Sequence, residues 1–397
     1  MKIIDLRAHP VAVFTEAPLR HSTGVHPGYF IRTILELVTD EGIVGLGEVG
    51  GGDQSGMLLK LKPRLLGEDP FHLERIKQKT LRQIYYISNP RVYAAIEIAC
   101  LDIQGKVLNR PLCDLIGGKL RDAVPFNASI SYRYPNAQGS AGETTATELV
   151  AYTRRAVAEC GFQSGKLKAG VMPPEHDIEV LYALRQAFGP SFGLRVDPNG
   201  FWSRGTAIRT AKELEGCRLE YLEDPTWGNE GMARVREKTS IPLATNMCVA
   251  RFDDFAAGVS MRSVDIILGD IYYWEGILGV KALSVMCDTF RLGLGMHSGS
   301  EFGITLAAMV HTAATLPNLT YSVDTLYHHL LDDIIVGGKL PFVNGCIQVP
   351  SGPGLGVELD PDRLARAAEL YRERGDYYAR FHEDTSRPGW FPINPGW

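Results

Sequence analysis

Two lysines stand one residue apart in the stretch SGKLKAGV, residues 164–171. Side chains of a β-strand alternate between its two faces, so Lys166 and Lys168 point the same way and Leu167 points the other way. Taken alone, such a pair is typical of an edge strand with a solvated face. Whether the lysines instead face a functional site depends on how the other strand-like segments end.

Polar residues end the strand-like segments that follow. They are Asp197 after FGLRV, Glu223 after LEYL, Asn246 after IPLAT, Asp270 after VDIILG, His297 after RLGLGM and Asp324 after LTYSV. Each has a structural explanation by itself, as a turn former, a helix cap or a satisfied buried group. Polar groups at so many successive strand ends together favour one shared site.

The residue types at these strand ends indicate a chemistry. Asp197, Glu223 and Asn246 offer three oxygen ligands, the kind that Mg²⁺ prefers, whereas zinc would need softer donors. Lys168 and His297 would then be two acid/base groups on opposite faces of a bound substrate. Asp270 is expected to hydrogen-bond the far nitrogen of His297 and to fix its tautomer.

The two lysines receive different predicted roles. Like charges held close disfavour the protonated form, so Lys168 is expected to give up its proton more easily beside Lys166. Lys166 is expected to neutralise a substrate carboxylate near the metal. The pattern therefore predicts removal of a proton next to a carboxylate, with Mg²⁺ stabilising the anion that forms.

The elements that must position these residues form a repeating pattern. From about residue 124, short apolar strands alternate with amphipathic helical stretches such as IEVLYALRQAF and TAIRTAKELEG. The predicted strands are VPFNASIS, SGKLKAG, FGLRVD, LEYLED, IPLATN, VDIILGD, RLGLGMH and LTYSVD. Eight such units favour a closed parallel (β/α)8-type barrel, a modified TIM barrel, over an open doubly wound sheet. In such a barrel the C-terminal ends of the strands share one rim.

The remaining sequence predicts a second, smaller unit. Residues 1–123 combine strand-like runs, a TDEG hairpin turn and helical stretches, which indicates an α+β capping domain with a substrate loop around 20–30. The barrel is assigned to 124–340. Residues 341–397 are expected to fold back on the capping domain and complete it.

Composition excludes several function classes. The chain has 397 residues, is 45% hydrophobic and carries a net charge of −5, with no basic block that would suit nucleic acid. No apolar run is long enough to span a membrane. Seven scattered cysteines without a CxxC pair predict a reduced, cytoplasmic protein and argue against a disulfide framework or a zinc cluster.

With these motifs in place, the sequence resembles the enolase superfamily, and within it the glucarate dehydratase subgroup of the mandelate racemase-like branch. The segments that carry the resemblance are KLKAG (166–170), VDPNGFWS (196–203), LEDP (222–225), LATNM (243–247), SVDIIL (263–268), HS (297–298) and PGLGVELD (353–360). An asparagine as third metal ligand is the mark of that subgroup, and Asn246 matches it.

The resemblance implies a role for each matched residue. It implies that Asp197, Glu223 and Asn246 bind Mg²⁺ and that Lys168 and the Asp270–His297 dyad are the acid/base groups. The segment TGVHPGYF (23–30) is similar to the mobile loop that closes such sites, with His26 in contact with the substrate. Lys166 and Asp324 are also expected to contact the substrate, and the resemblance implies a homo-oligomer.

The sequence departs from the subgroup where the far end of the substrate would bind. Ser129 and Ser131 stand where the subgroup has an aromatic pair, Ala94 replaces a threonine, Gly299 an asparagine and Leu326 a histidine.

A further departure concerns a positive charge. The subgroup has an arginine beyond a Pro-Gly-Trp motif, which binds the distal carboxylate of a diacid, and no such arginine follows the NPGW of this sequence. Arg133 shares strand parity with Ser129 and Ser131, so it is predicted to reach the rim and replace that arginine.

Three interpretations of the function follow. The leading one is a Mg²⁺-dependent acid-sugar dehydratase that gives a 2-keto-3-deoxy acid. The second is a racemase or epimerase of a 2-hydroxy acid, because two bases on opposite faces also suit that reaction. The third, a non-catalytic relative that kept the fold and the metal, is disfavoured because every acid/base group is present.

Overall fold

The computed structural model describes residues 1–82, 89–378, 383–384, 386–387 and 389–397. The N-terminal part begins with a three-stranded antiparallel sheet in the order β1-β4-β5. The first five strands of the chain are β1 (Ile3–Phe14), β2 (Leu19–His21), β3 (Gly24–His26), β4 (Tyr29–Thr39) and β5 (Val44–Gly50). Strands β2 and β3 pair with each other in a short hairpin. The predicted TDEG turn is confirmed: Gly42 N donates to Thr39 O at 3.1 Å, and Gly42 has a positive φ of 79°.

Helices cover one face of this sheet. They are α1 (Ser55–Leu65), α2 (Leu73–Lys77) with a π-helical turn (Gln78–Arg82), α3 (Pro90–Leu108) and α4 (Leu112–Leu115). Helix α3 lies so close to β5 that a Cβ on Gly45 would meet the carbonyl oxygen of Ala99, and a Cβ on Gly47 that of Ala95. The two glycines therefore set the position of α3, which also carries residues of the site described below.

Parallel strands form the barrel, in the order β7 to β13. After β6 (Ala123–Pro125), they are β7 (Ala128–Ser131), β8 (Ser164–Lys168), β9 (Gly193–Asp197), β10 (Tyr221–Glu223), β11 (Leu243–Thr245), β12 (Ile266–Gly269) and β13 (Gly293–Met296). The helices that follow β7 to β13 are α5 (Ala146–Cys160), α6 (Pro174–Phe188), α7 (Arg204–Leu214), α8 (Asn229–Arg236), α9 (Phe252–Met261), α10 (Ile277–Phe290) and α11 (Gly303–Ala314). Because the strands are parallel, their C-terminal ends meet at one rim.

The eighth predicted strand is irregular. Residues 319–324 close the barrel through single bridges from Leu319 to Leu294 and from Val323 to Phe126. Asp324 N also donates to Met296 O at 3.0 Å, which ties its end to β13. The barrel predicted from sequence is thus confirmed, with its last strand reduced to these contacts.

The C-terminal part returns to the N-terminal half. Strand β14 (Cys346–Gln348) pairs with β6, and helix α12 (Pro361–Arg374) packs against β1. Asp360 caps α12 by accepting hydrogen bonds from Asp362 N and Arg363 N. In the described part of the chain, every helix is too short or too polar to cross a lipid bilayer.

Candidate active site

A cavity of about 290 Å³ lies between the C-terminal rim of the barrel and the N-terminal part of the chain. Two groups of residues line it. The first group, the barrel wall, includes Lys166, Lys168, Asn246, Asp270, His297 and Asp324. The capping wall includes His21, Thr23, His26, Gly50, Gly51 and Arg91. Of the strand-end residues predicted to share one site, Asn246, Asp270, His297 and Asp324 therefore line one cavity, whereas Asp197 and Glu223 are buried and bond to Lys168 and Lys166, which line it.

The two lysines of β8 each contact carboxylates. Lys166 Nζ donates to Glu223 Oε2 at 2.6 Å and also to Asp324 Oδ2, while Lys168 Nζ donates to Asp197 Oδ2 at 2.5 Å. Burial by itself would lower the pKa of Lys166, but Asp324 and Glu223 raise it well above its usual value. At Lys166 the attraction of these two carboxylates is therefore the dominant effect, and the expected effect of Lys166 on Lys168 stays a prediction.

The three predicted metal ligands come from neighbouring strands. Strands β9 and β10 align Val196 with Leu222, so the next residues, Asp197 and Glu223, stand side by side. Asn246 directly follows the adjacent strand β11. Burial and the nearby Asp197 raise the pKa of Glu223 well above its usual value. Asp197 is therefore close enough to oppose the ionisation of Glu223, whereas Lys168 and Lys166 hold the pKa of Asp197 below its usual value.

This oxygen-rich set fits Mg²⁺. Glu223 Oε1 and Asn246 Oδ1 are buried and have no hydrogen-bond partner among the described residues, so each has an oxygen left to bind a cation. Backbone placement of Asn246 is fixed, because its N–H donates to Asp224 Oδ2 at 2.9 Å. Over the residues described, no three His, Cys, Asp or Glu side chains form a metal cluster, so the set depends on the amide of Asn246.

The histidine of the barrel wall is oriented by a carboxylate. His297 Nδ1 lies 2.6 Å from Asp270 Oδ2, and Asp270 Oδ1 accepts a hydrogen bond from Tyr272 N at 2.6 Å. A carboxylate can only accept, so the proton of the neutral ring is on Nδ1 and Nε2 is left as the base. The ring of Tyr273 stacks on that of His297, with centroids 6.2 Å apart.

The residues predicted to contact the substrate are placed as follows. Asp324 lines the cavity and accepts a hydrogen bond from Asn127 Nδ2 at 2.5 Å, besides the one from Lys166. His26 lines the capping wall, with Nδ1 2.7 Å from Tyr377 Oη. Burial lowers the pKa of His26 well below its usual value, so the ring is neutral. Substrate contact by these groups stays a prediction.

The prediction for Arg133 is wrong. Its guanidinium is fully buried and donates to Glu143 through Nε and Nη2, at 2.7 and 2.6 Å, and to Glu16 through Nη1 at 2.7 Å. It also lies 4.2 Å from the ring centroid of Tyr152. Strand β7 ends at Ser131, so its parity does not continue to Arg133. With its charge satisfied by two glutamates, Arg133 is a structural residue.

The positions that depart from the glucarate dehydratase pattern are mostly at the cavity. Ser129, Gly299 and Leu326 line it, whereas Ala94 is fully buried within α3. Ser131 is buried as well, and its hydroxyl has no partner among the described residues. The surroundings of the catalytic groups thus differ from those that the resemblance implies.

Arg91, Tyr273 and Asn127 are among the cavity residues that sequence reasoning missed. Arg91 belongs to the capping wall, Tyr273 lies in the loop after β12, and Asn127 holds Asp324 from just before β7. Asn127 stands in the predicted strand VPFNASIS, where an internal polar residue is a usable signal. Tyr273 follows Asp270 in the loop after β12, whereas Arg91 follows no strand end, and nothing in the sequence alone marks either side chain.

Two family models cover most of the chain. The model described as "Mandelate racemase / muconate lactonizing enzyme, N-terminal domain" matches residues 8–117. The model described as "Enolase C-terminal domain-like" matches residues 148–363. These ranges include every predicted ligand and acid/base residue.

Individual proteins show the same relationship. A probable glucarate dehydratase from Streptomyces coelicolor is 38% identical, over 92% of this chain and 90% of that protein. A chloromuconate cycloisomerase from Cupriavidus pinatubonensis is 25% identical, over 95% of this chain and 100% of that protein. A crystal structure of an enolase from Pseudomonas fluorescens, with bound magnesium, potassium and tartrate, is 38% identical and covers 100% of this chain and 99% of that one, with a TM-score of 0.93. The chain therefore belongs to the enolase superfamily, in its mandelate racemase and muconate lactonizing enzyme family.

Proposed function

We propose that the protein is a Mg²⁺-dependent acid-sugar dehydratase, which removes the proton next to a carboxylate and expels the neighbouring hydroxyl. The observation that carries this proposal is the barrel wall itself. Two groups that can carry protons, Lys168 and His297, face the same cavity beside an oxygen-rich set with unpartnered atoms on Glu223 and Asn246.

The residues of the chain account for the proton movements. A base, Lys168 as free amine or His297 at Nε2, takes the α-proton of the substrate. The electron pair of that C–H bond is first delocalised onto the substrate carboxylate and then forms a double bond between the α- and β-carbons as the β-hydroxyl leaves. Protonated His297 can donate to the departing hydroxyl, which leaves as water. The enol that remains takes a proton at the β-carbon, loses its hydroxyl proton and becomes a 2-keto-3-deoxy acid.

A metal ion and Lys166 supply the electrostatic part. When bound by Asp197, Glu223 and Asn246, Mg²⁺ would stabilise the negative charge that develops on the substrate carboxylate. Lys166 is held between Glu223 and Asp324, so its ammonium group is fixed at the same wall and can bind the same carboxylate. Asp270 orients the imidazole of His297 through its contact at Nδ1.

The relatives support the reaction class without fixing the substrate. The Streptomyces coelicolor protein is described as a probable glucarate dehydratase, and the Pseudomonas fluorescens structure holds magnesium and tartrate, a hydroxylated diacid. A hydroxylated acid as substrate agrees with both descriptions.

A racemase or epimerase of a 2-hydroxy acid is the second candidate. The observation that favours it is the position of Lys168 on β8 and His297 after β13, on strands that are not neighbours in the sheet. Two bases placed in this way can remove and return a proton on different faces of one carbon. The relative described as a chloromuconate cycloisomerase shows that this family includes enzymes of reactions other than dehydration.

One experiment separates the two candidates. The purified protein is incubated with Mg²⁺ and a panel of aldonates and aldarates in deuterated water. A dehydratase forms a 2-keto acid, which semicarbazide detects as an absorbing product. An epimerase forms no 2-keto acid and leaves deuterium at the α-carbon of recovered acid. Absence of both changes across the panel would contradict the proposed function.

A further inference from the structure

Arg91 is an arginine of the capping wall whose backbone is firmly placed. It follows Pro90 in the first turn of α3, and the side chain of Asn89 caps that turn by accepting from Arg91 N and Val92 N. Its guanidinium lies 4.9 Å from the ring centroid of Tyr273, and Nη2 donates to Tyr273 Oη at 2.5 Å. The side chain is therefore directed at the cavity that it lines.

The charge of Arg91 is not neutralised by the protein. The other cations of the cavity, Lys166 and Lys168, contact Asp324, Glu223 or Asp197. Within the described ranges, Arg91 forms no ion pair with a carboxylate. Residues 83–88, 379–382, 385 and 388, which complete the chain, include no aspartate or glutamate. A guanidinium beside a neutral phenol is the cavity's one cation without a carboxylate partner among the residues described.

The guanidinium of Arg91 and the imidazole of His297 contact the same aromatic ring. The ring of Tyr273 lies between Arg91 and His297, stacking on the histidine at an angle of 26°. Gly51 carries no Cβ, and one added there would meet Arg91 Nη1. Arg91 thus lines, from the capping wall, the same cavity that Asn246 and His297 line from the barrel wall.

We propose that Arg91 binds an anionic group at the end of the substrate remote from the reacting carboxylate, and so selects diacids over monoacids. An arginine fork matches a carboxylate through two parallel hydrogen bonds, and the free donors of Arg91 allow that geometry. The inference rests on the proposed function, which places the reacting carboxylate of the substrate at the metal set. It assigns the opposite end of the substrate to Arg91, a residue outside the barrel.

The test compares pairs of acids that differ only at the far carbon, such as D-glucarate with D-gluconate and the corresponding four- and five-carbon pairs. Affinities are measured by calorimetry with Mg²⁺ in a His297→Asn background, so that turnover does not interfere. We expect the parent protein to favour at least one diacid over its monoacid by about 10-fold or more. Arg91→Met should lose about 10- to 100-fold in diacid affinity and less than about 3-fold in monoacid affinity.

Three further variants make this result specific. Arg91→Lys should keep part of the preference for diacids, because the charge stays but the fork is lost. Tyr273→Phe removes the hydroxyl bonded to Arg91 and should leave the preference for diacids intact. If Arg91 only held Tyr273 in place, Tyr273→Phe and Arg91→Met would instead change this preference alike. Arg110→Met, at an exposed arginine just beyond the other end of α3, serves as the matched control.

Failure of this inference can be told apart from failure of the proposed function. Equal affinity for diacids and monoacids in the parent protein, or equal losses for both in Arg91→Met, would overturn the role of Arg91 even if a 2-keto acid forms. Conversely, a diacid preference that disappears in Arg91→Met supports the role of Arg91 even if no acid is dehydrated.

Discussion

The two walls of the cavity are built on different principles. On the barrel wall, charged side chains come from consecutive parallel strands and contact one another, as Lys166 does with Glu223 and Asp324. On the capping wall, neutral His26 comes from a short hairpin and charged Arg91 from the start of a helix, and Arg91 forms no ion pair with a carboxylate in the described residues. Under the functions proposed above, the chemistry belongs to the barrel wall and substrate selection to the capping wall.

The largest effect is expected at the metal set. Glu223→Gln keeps the shape of the side chain but removes a buried charge, so Mg²⁺ binding should be lost. Activity should fall by more than about 10³-fold, because a catalytic metal contributes several kcal/mol. Calorimetric Mg²⁺ titration and turnover assays measure both. Glu220→Gln, at the opposite end of the same strand, is the control and should leave Mg²⁺ binding unchanged; equal behaviour of the two variants would contradict the assignment.

The next effect is expected at the histidine of the same wall. His297→Asn removes the base held by Asp270, and kcat should fall by about 10²- to 10⁴-fold, as for loss of a general acid/base. Mg²⁺ affinity should stay the same, since His297 is not in the metal set. His176→Asn, a histidine that bonds Thr144 O away from the cavity, is the control. Normal turnover in His297→Asn would mean that this wall is not catalytic.

A smaller effect is expected on the capping wall. His26→Gln removes an uncharged ring, which can hydrogen-bond the substrate but cannot attract it by charge. KM should therefore rise by up to about 10-fold while kcat changes little. Steady-state kinetics separate the two constants. Tyr377→Phe removes the hydroxyl 2.7 Å from His26 Nδ1 and should shift KM in the same direction by less. A large fall in kcat in either variant would erase the distinction between the walls.

The smallest effect on activity is expected at Arg133, outside both walls. Arg133→Met removes the partner of Glu143 and one of the two arginines that contact Glu16, so the free energy of unfolding should fall by about 3 kcal/mol, with KM unchanged for the protein that remains folded. Urea unfolding and kinetics test this. Arg155→Met, whose side chain is 40% exposed, should cost less than about 1 kcal/mol. A raised KM in Arg133→Met would restore the rejected role in substrate binding.

The barrel wall was predictable because topology fixes it. A side chain at the C-terminal end of a parallel barrel strand must face the rim, so strand assignment alone brought Asp197, Glu223 and His297 together. The irregular closing segment, residues 319–324, was predicted as a strand because its apolar run resembles the others. The predicted place of Asp324 at the rim was still right, because single bridges hold this segment where the eighth strand would lie.

The rest depends on contacts that sequence periodicity does not encode. Strand parity failed at Arg133 because the strand ends two residues earlier, where the chain turns to meet Glu16 and Glu143. The raised pKa of Lys166 was not foreseen, because the carboxylates that raise it, Asp324 and Glu223, come from other strands. Arg91 was missed because its place at the cavity follows from how α3 docks on β5 through glycine contacts.

The central claim is that the barrel wall removes the proton next to a carboxylate, and proton–deuterium exchange tests it most directly. The measurement is ¹H NMR of the α-hydrogen signal of an acid that the protein binds, in deuterated water with Mg²⁺, for the wild type, Lys168→Ala, His297→Asn and the double variant. We predict loss of the α-hydrogen with the wild type, slower or epimer-restricted loss with each single variant, and none with the double variant. Undiminished loss with the double variant would contradict the account, because the proton would then be taken by a group outside the barrel wall.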